Sequence, residues 1–368
     1  MKILFLKFGS FSGINNSIVR EFEMRKIQVD VVDAFDAINP KKSLVVGFIN
    51  IICAILLYGY KWRLGIEYTS FGFRAMSRYC EKAREQFRPD VVFQTQTMFS
   101  GFCDKIDVPY LLYTDHTHAL SRKSYSKGFR QGCISARKSW IEHERQTYLS
   151  AAKIFCMSNF IKMSIMSDYG VDGGKVSTVY PGINVRVRED LIQKTGKDDR
   201  LRILFVGVDF KRKGGHSLLE CFNRVRAIVP SSRLVIVGCD LPIEDPQIEV
   251  KGKLNFSEMS DEYRKASIFV LPSLREPFGI AFLEAMAHGL PCIGTRIESI
   301  PELIDDGVDG FLVEPNNSET LGDKIILLLQ NERLRKEMGV RALTKGSNFT
   351  WSRSVDRILE ISGFIAKS

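Results

Sequence analysis

Short apolar runs alternate with longer stretches of helical periodicity along this chain, and the alternation begins afresh near its middle. In the first half residues 3–8, 29–32, 91–94, 110–113 and 154–157 read as strands, with helical stretches such as 17–25 and 73–87 between them. The second half restarts at 202–206 and continues through 234–237, 268–271, 292–294 and 311–313. Strands separated by helices are the pattern of a parallel α/β sheet. Two successive Rossmann-like units are the simplest reading, and 368 residues are enough for two domains of ordinary size. The linker is expected between Tyr180-Pro-Gly182 and Asp199, where polar residues, Pro and Gly collect.

Apolar residues make up 45% of the chain, which excludes wholesale disorder. The net charge of +9 is unevenly placed: residues 1–183 carry 25 Lys+Arg against 16 Asp+Glu, and residues 184–368 carry 27 of each. A basic half suits nucleic acid, an anionic membrane or an anionic substrate. No zinc finger, RNP-type aromatic motif or long Lys/Arg run accompanies it, so no nucleic-acid partner is expected. None of the eight cysteines forms a Cys-x-x-Cys pair, and they read as reduced thiols in a cytoplasmic protein. The opening Met1–Lys7 run is too short for a signal peptide and reads as a first buried strand.

One apolar segment stands apart, 44–60, bracketed by Lys41-Lys42 and Lys61-Trp62-Arg63. As a helix it would reach about 25 Å, short of the roughly 30 Å hydrocarbon core of a bilayer. Two readings stand: a helix buried under the first sheet, or a helix sunk in the membrane interface with its basic flanks on anionic lipid.

The densest chemical signal is Pro272-Ser-Leu-Arg-Glu-Pro-Phe-Gly-Ile-Ala-Phe-Leu-Glu-Ala-Met-Ala-His-Gly-Leu-Pro291. A strand runs into a turn and a helix begins near Phe278, so free N–H groups and a positive dipole end lie at the turn, suited to phosphate. Glu276 precedes the first turn and Glu284 follows two turns later, so one carboxylate is placed for a sugar and the other for a ribose. Taken alone, the same spacing describes a helix cap and a surface glutamate.

The surrounding residues resemble the Glu-x7-Glu motif of glycosyltransferase family 4: Glu-Pro-Phe-Gly, then Leu-Glu-Ala-Met-Ala, then His-Gly-Leu-Pro. Other segments agree in order. Phe205-Val-Gly-Val-Asp-Phe-Lys-Arg-Lys-Gly-Gly215 looks like the family's donor-phosphate loop; Met157-Ser-Asn, Tyr169-Gly, Lys175-Val and Val179-Tyr-Pro-Gly-Ile-Asn184 look like its passage into the second domain; and residues 300–313 fit as well. The resemblance is strong over 154–313 and weaker before.

It implies the GT-B fold, α/β with two Rossmann-like domains facing each other across a cleft. Residues 1–183 would bind the acceptor, rejoined by residues 350–368 of a last helix that contains Phe349-Thr-Trp351, and 184–349 would bind the donor. It further implies a retaining hexosyltransferase-like enzyme that moves a sugar from a nucleotide-diphosphate sugar to a glycan or lipid-linked acceptor, in cell-surface polysaccharide or glycolipid synthesis. Lys213, with Arg212 and the amides near Phe278, Gly279 and Ile280, would hold the diphosphate. Glu276 and His116 would position the sugar, with His118 the spare histidine, and Glu284 would bind ribose. Gly9 and Gly13 resemble the family's acceptor-side loop. No Asp-x-Asp motif occurs, so no metal or other cofactor is expected, and cations with helix N-termini must stabilise the leaving diphosphate. One departure is plain: many members carry Arg where this chain has Val208, and Arg212 is the nearby replacement. The rivals are an epimerase-like sugar-nucleotide enzyme and an inactive relative serving as a membrane-bound partner in glycan synthesis; the retained Glu276, Glu284 and Lys213 argue against the latter.

Overall fold

The structure, a computed structural model, describes residues 1–11, 13–59, 62–101, 107–124, 134–185 and 201–364. The chain divides into two compact units, Met1–Tyr180 with Ser354–Ser368, and Pro181–Arg353. The break falls after Tyr180 rather than after residue 183, and most of the expected linker lies outside the described residues. Cys103, Cys133, Lys61 and residues 365–368 also lie outside them.

The first unit runs β1 (Lys2–Lys7), α1 (Ile14–Met24), β2 (Gln28–Asp33), α2 (Leu44–Tyr58), α3 (Trp62–Gly65), α4 (Ser70–Phe87), β3 (Val91–Thr95), β4 (Tyr110–Thr114), α5 (His118–Ser124), α6 (Ile134–Ser150), β5 (Lys153–Cys156), α7 (Asn159–Tyr169) and β6 (Val176–Thr178). Its six strands are all parallel in the order β2-β1-β3-β4-β5-β6. Ile3–Leu6 and all of β3 and β4 are buried, as parallel strands covered on both faces must be. Helix α1 begins at Ile14, one turn before the expected 17, because Gly13 takes a left-handed φ of 79° and the Ile14 N–H donates to Phe11 O. Helix α4 begins at Ser70 because the Thr69 hydroxyl accepts from the Gly72 N–H at 2.8 Å.

Helix α2 corrects one of the two readings of 44–60. It is not buried: Leu44, Val45, Phe48, Ile49, Ile52, Ile55 and Leu56 are exposed, and Gly47, Asn50 and Ala54 face inward. The inward face is small and polar for a packing reason. A Cβ on Gly47 would sit 2.7 Å from Pro40 Cα, and Asn50 donates to Ile66 O at 2.9 Å and accepts from the Thr69 hydroxyl.

The second unit runs β7 (Leu201–Val206), α8 (Gly215–Ile228), β8 (Ser232–Val237), β9 (Ile248–Val250), α9 (Phe256–Lys265), β10 (Ile268–Leu271), α10 (Ile280–Ala287), β11 (Cys292–Thr295), α11 (Ile300–Leu303), β12 (Gly310–Val313), α12 (Ser318–Gln330) and α13 (Glu332–Gly346). Its parallel strands lie in the order β12-β11-β10-β7-β8-β9. Counted from β7, that is the 3-2-1-4-5-6 order of a doubly wound sheet, whose order reverses between β7 and β10. Helix α14 (Trp351–Ser362) follows Phe349-Thr350 rather than containing them, and from Ser354 onward it belongs to the first unit. There the Ser354 hydroxyl donates to Tyr180 O at 2.7 Å and Arg25 pairs with Asp356 at 2.6 Å.

The switch between β7 and β10 is closed by a backbone contact. Gly214 has φ +74°, and a Cβ there would run into the Pro272 carbonyl oxygen. Left-handed geometry alone costs a residue with a side chain about 1–2 kcal/mol, and the collision adds to it. Gly214→Ala is therefore expected to lose at least about 2 kcal/mol of stability, read by urea denaturation; an unchanged midpoint would overturn this account.

Candidate active site

In open α/β sheets ligands bind beyond the carboxyl ends of the strands at the point where strand order reverses. In the second unit that point lies between β7 and β10, which are register partners through Ile203–Ile268 and Leu204–Phe269. The segment after β7 holds Arg212 and Lys213, and the turn after β10 holds Glu276, Phe278 and Gly279. Both segments feed helices that begin with a glycine and have no side-chain cap: Gly214 before α8, and Gly279, at φ 99°, before α10. Neither helix has an acidic residue in its first turn. Two helix starts that no side chain caps thus lie at one sheet edge.

Between them, the Lys213 ammonium is paired with Glu276 Oε2, which also accepts from the Ser273 hydroxyl at 3.1 Å. Both members of the pair are largely buried. Gly207 makes room for the lysine stem, since a Cβ there would lie 2.8 Å from Lys213 Cγ. The turn that carries Glu276 is held on several sides. The Glu276 N–H donates to Glu298 Oε2 at 2.6 Å, Arg275 Nε donates to Glu298 Oε1 at 3.1 Å, and Ser299 Oγ donates to Pro277 O at 2.7 Å. Arg212 points to this turn: its Nη1 donates to Arg275 O at 2.9 Å and its Nε lies 3.4 Å from Asp209 Oδ2. Val208, by contrast, is exposed.

Glu284, five positions past Gly279 in the same helix, is not a surface residue. It is buried, with Oε2 accepting from Tyr263 OH at 3.0 Å and Oε1 from the Asn184 N–H at 3.3 Å. Burial pushes its carboxyl up to about 7, outweighing the bonds from Tyr263, Asn184 and Val185. His288 stacks on Tyr263 with ring centroids 5.2 Å apart, and its Nδ1 lies 2.7 Å from Glu284 O.

In the first unit the sequence-derived residues line the carboxyl ends of β1 and β4. Gly9 has φ +57°; its N–H donates to Asp33 Oδ1 at 2.9 Å, while Lys7 Nζ pairs with Asp33 Oδ2 at 2.6 Å. Gly13 starts α1. After β4, His116 Nε2 meets Ser121 Oγ at 2.9 Å, and Thr114 Oγ1 donates to His116 O at 3.0 Å. The two histidines differ. His118 lies among Tyr68 and Trp140, with ring centroids 6.0 and 6.3 Å away, and burial pushes its pKa down to about 4, so it stays neutral near pH 7. Its N–H donates to both oxygens of Glu144, at 3.2 and 3.0 Å. Glu144 is a residue that sequence reasoning missed. Fully buried, it also accepts from Thr97 Oγ1 at 2.8 Å, Tyr148 OH at 3.2 Å and Tyr169 OH, while the Tyr169 oxygen accepts from the Ala119 N–H at 2.9 Å. Burial raises its pKa despite those bonds. The carboxylate fastens the start of α5, next to His116, to α6 and α7. Glu298, Ser273 and Tyr263 were missed likewise. Among the described residues, no group of three or more His, Cys, Asp or Glu side chains is placed to hold a metal ion.

Glu284 gives a pH dependence. A folded-state carboxyl raised from 4.5 to about 7 contributes stability that is fully present below pH 4.5 and lost as pH rises to about 7. Glu284→Gln does not titrate there, so its stability should change less between pH 4.5 and 8, by on the order of 3 kcal/mol. Chemical denaturation at several pH values reads this, and parallel curves for the two proteins would refute it.

Comparison with known proteins bears on the whole chain. Residues 187–344 match the family model described as Glycosyl transferases group 1, and residues 16–187 match that described as Glycosyltransferase Family 4. An uncharacterized glycosyltransferase of Methanocaldococcus jannaschii is 27% identical over 257 residues, covering 68% of this chain and 67% of that protein. The D-inositol 3-phosphate glycosyltransferase of Thermobifida fusca is 26% identical over 222 residues, 53% of this chain and about half, 51%, of the relative's length. Among solved structures, the sucrose-phosphate synthase of Thermosynechococcus elongatus superposes with a TM-score of 0.75 at 13% identity over 99% of this chain and 98% of its own. HepE of Anabaena, solved with UDP-glucose, gives 0.67 at 16% identity over 99% of each chain. Two parallel Rossmann-like sheets, the Glu276–Glu284 helix at the switch point of the second, and family models that together span 16–344 place this chain among the family 4, group 1 glycosyltransferases of the GT-B fold.

Proposed function

We propose that this glycosyltransferase moves a sugar from a nucleotide-diphosphate sugar to an acceptor hydroxyl with retention of configuration and without a metal ion, in the cytoplasm, in the synthesis of a cell-surface polysaccharide or glycolipid. The observation that carries the reading is the Lys213–Glu276 pair between two uncapped helix starts at the switch of the second sheet. A diphosphate is the ligand that such a set of charges stabilises.

In this reading the bond from the sugar's anomeric carbon to the donor phosphate oxygen breaks, and its electron pair leaves with the diphosphate. The acceptor oxygen bonds the same carbon from the same face, and its proton passes to the departing phosphate oxygen. No protein nucleophile takes part. Lys213 and the amides from Phe278 to Ile280 take up the charge that develops on the diphosphate. Glu276, oriented by Ser273 and Lys213, accepts from sugar hydroxyls. Glu284 accepts from the ribose through lone pairs that Tyr263 and Asn184 leave open. His116 positions the sugar, and the Gly9–Gly13 loop lines the acceptor side, where a glycan or lipid-linked acceptor would bind. The nucleotide-sugar partner is supported by the UDP-glucose in HepE. The six described cysteines, all free, support a reducing compartment.

The direct test is release of sugar from a panel of nucleotide sugars. One donor should turn over in the presence of EDTA, and Glu276→Gln should slow it by about a hundredfold or more. Turnover restored only by added Mg²⁺ or Mn²⁺ would overturn the metal-free mechanism, and full-rate Glu276→Gln would remove that residue from the site. Arg212 is the second test. Its guanidinium stands 2.9 Å from Arg275 O, beside the turn that carries Glu276, where the exposed Val208 supplies no charge. A charge-assisted bond to the diphosphate contributes about 1.5–3 kcal/mol, so Arg212→Ala should lower kcat/KM by about 10- to 150-fold with Lys recovering only part. A value within about twofold of wild type would mean Lys213 and the helix amides suffice.

A further inference from the structure

Helix α2 has its amphipathicity turned inside out. In a helix packed on a globular core the apolar stripe faces in. Here the side facing in is Gly47, Asn50 and Ala54, with Asn50 fully buried and bonded to Ile66 O and Thr69, while Leu44, Phe48 and Leu56 are 75%, 61% and 80% exposed. Val45, Ile49, Ile52 and Ile55 complete the outward stripe at three- and four-residue spacing. From Leu44 to Tyr58 the helix carries no acidic or basic residue. The charges sit at its ends: Lys41 and Lys42 before it and Arg63 after it are exposed, Lys42 being paired with Asp36 at 2.7 Å, and Arg63 lies 5.5 Å from the Trp62 ring centre. The same half of the chain holds the whole net charge of +9.

We propose that this face is a docking surface for an anionic lipid bilayer, with α2 lying in the plane of the interface. Its 15 residues reach about 22 Å, too short to span, and no described helix is long and apolar enough to cross a membrane. A stripe of Leu, Ile, Val and Phe with no charged residue along its length enters the boundary between headgroups and acyl chains. Cations at both ends meet the anionic headgroups, and Trp62 suits the same depth. A water-exposed protein partner gives no reason for the charges to stand only at the ends, whereas a bilayer does. The inference is independent of the reaction assigned above, because it rests on the first unit's helix and not on the candidate active site.

The test is co-sedimentation of the full chain with phosphatidylcholine vesicles, with and without about a third phosphatidylglycerol. Wild type should pellet with the anionic vesicles and be released by about 1 M salt. Phe48→Ser, Ile52→Ser and Leu56→Ser together should weaken binding more than about a hundredfold while leaving the melting temperature and donor turnover near wild type. Lys41→Ala with Arg63→Ala should weaken it about twenty-fivefold, roughly fivefold per cation. Absence of binding to anionic vesicles, equal binding to neutral ones, or equal binding by the triple serine variant would each overturn the proposal. So would a lipid-free dimer in sedimentation equilibrium that the triple variant breaks, because the stripe would then be a contact between two copies of this chain.

Discussion

The second unit depends on how closely two loops approach at one point of its sheet. Strand order reverses between β7 and β10, so the helices that follow them, α8 and α10, start side by side at the carboxyl ends of the strands. Gly214 lets the backbone of one loop touch the Pro272 carbonyl of the other. That contact brings Lys213 onto Glu276. A buried ion pair is weak evidence for stability, since desolvating both charges costs as much as their attraction returns. Here the pair does something else: it holds a cation and a carboxylate in place before any ligand arrives, at the mouth of two helix dipoles. Glu298 extends the arrangement. Held at φ +46°, it accepts from the Glu276 amide and from Arg275, so a strained residue on the neighbouring loop fixes the turn.

The first unit solves a similar problem with a buried carboxylate. The loop after β4 has no glycine contact to pin it, and Glu144 reaches from α6 to hold the start of α5, with Thr97, Tyr148 and Tyr169 donating to the same group. Loss of that carboxylate would leave several buried donors without an acceptor. The consequence for His116 is positional: its backbone stands two residues from a clamped N–H, and its ring is oriented by Ser121.

What could be read from the residues alone was what local pattern and local chemistry determine. The buried strands of both units are continuous apolar runs, and they were found within a residue or two. The strands at 176–178 and 248–250 were not, because each is a three-residue edge strand whose pairing, not its composition, defines it. Glu276, Glu284, Arg212 and Lys213 were legible because they sit in segments with a recognisable order. Glu144 was not, because a glutamate within a polar helix looks like any solvated residue until three tyrosine and threonine hydroxyls are found around it. Helix α2 was legible as a helix, but not by face. Hydrophobicity alone places such a segment inside, and only the packing of Gly47 on Pro40 and the bonds of Asn50 show that its small, polar side is the inner one.

Glu284 joins the two ends of its unit's chain path. Its carboxyl accepts from Asn184, the fourth residue of the unit, and the Asn184 side chain in turn accepts from the Trp351 indole N–H at 3.1 Å, near the unit's end. An acid poised at about 7 in such a place makes occupancy and proton count inseparable. Any ligand that donates a hydrogen bond to it favours the ionised form and expels a fraction of a proton into the medium. The heat of binding near neutrality then contains the ionisation enthalpy of whichever buffer receives that proton, and calorimetry in two buffers of different enthalpy counts the proton directly.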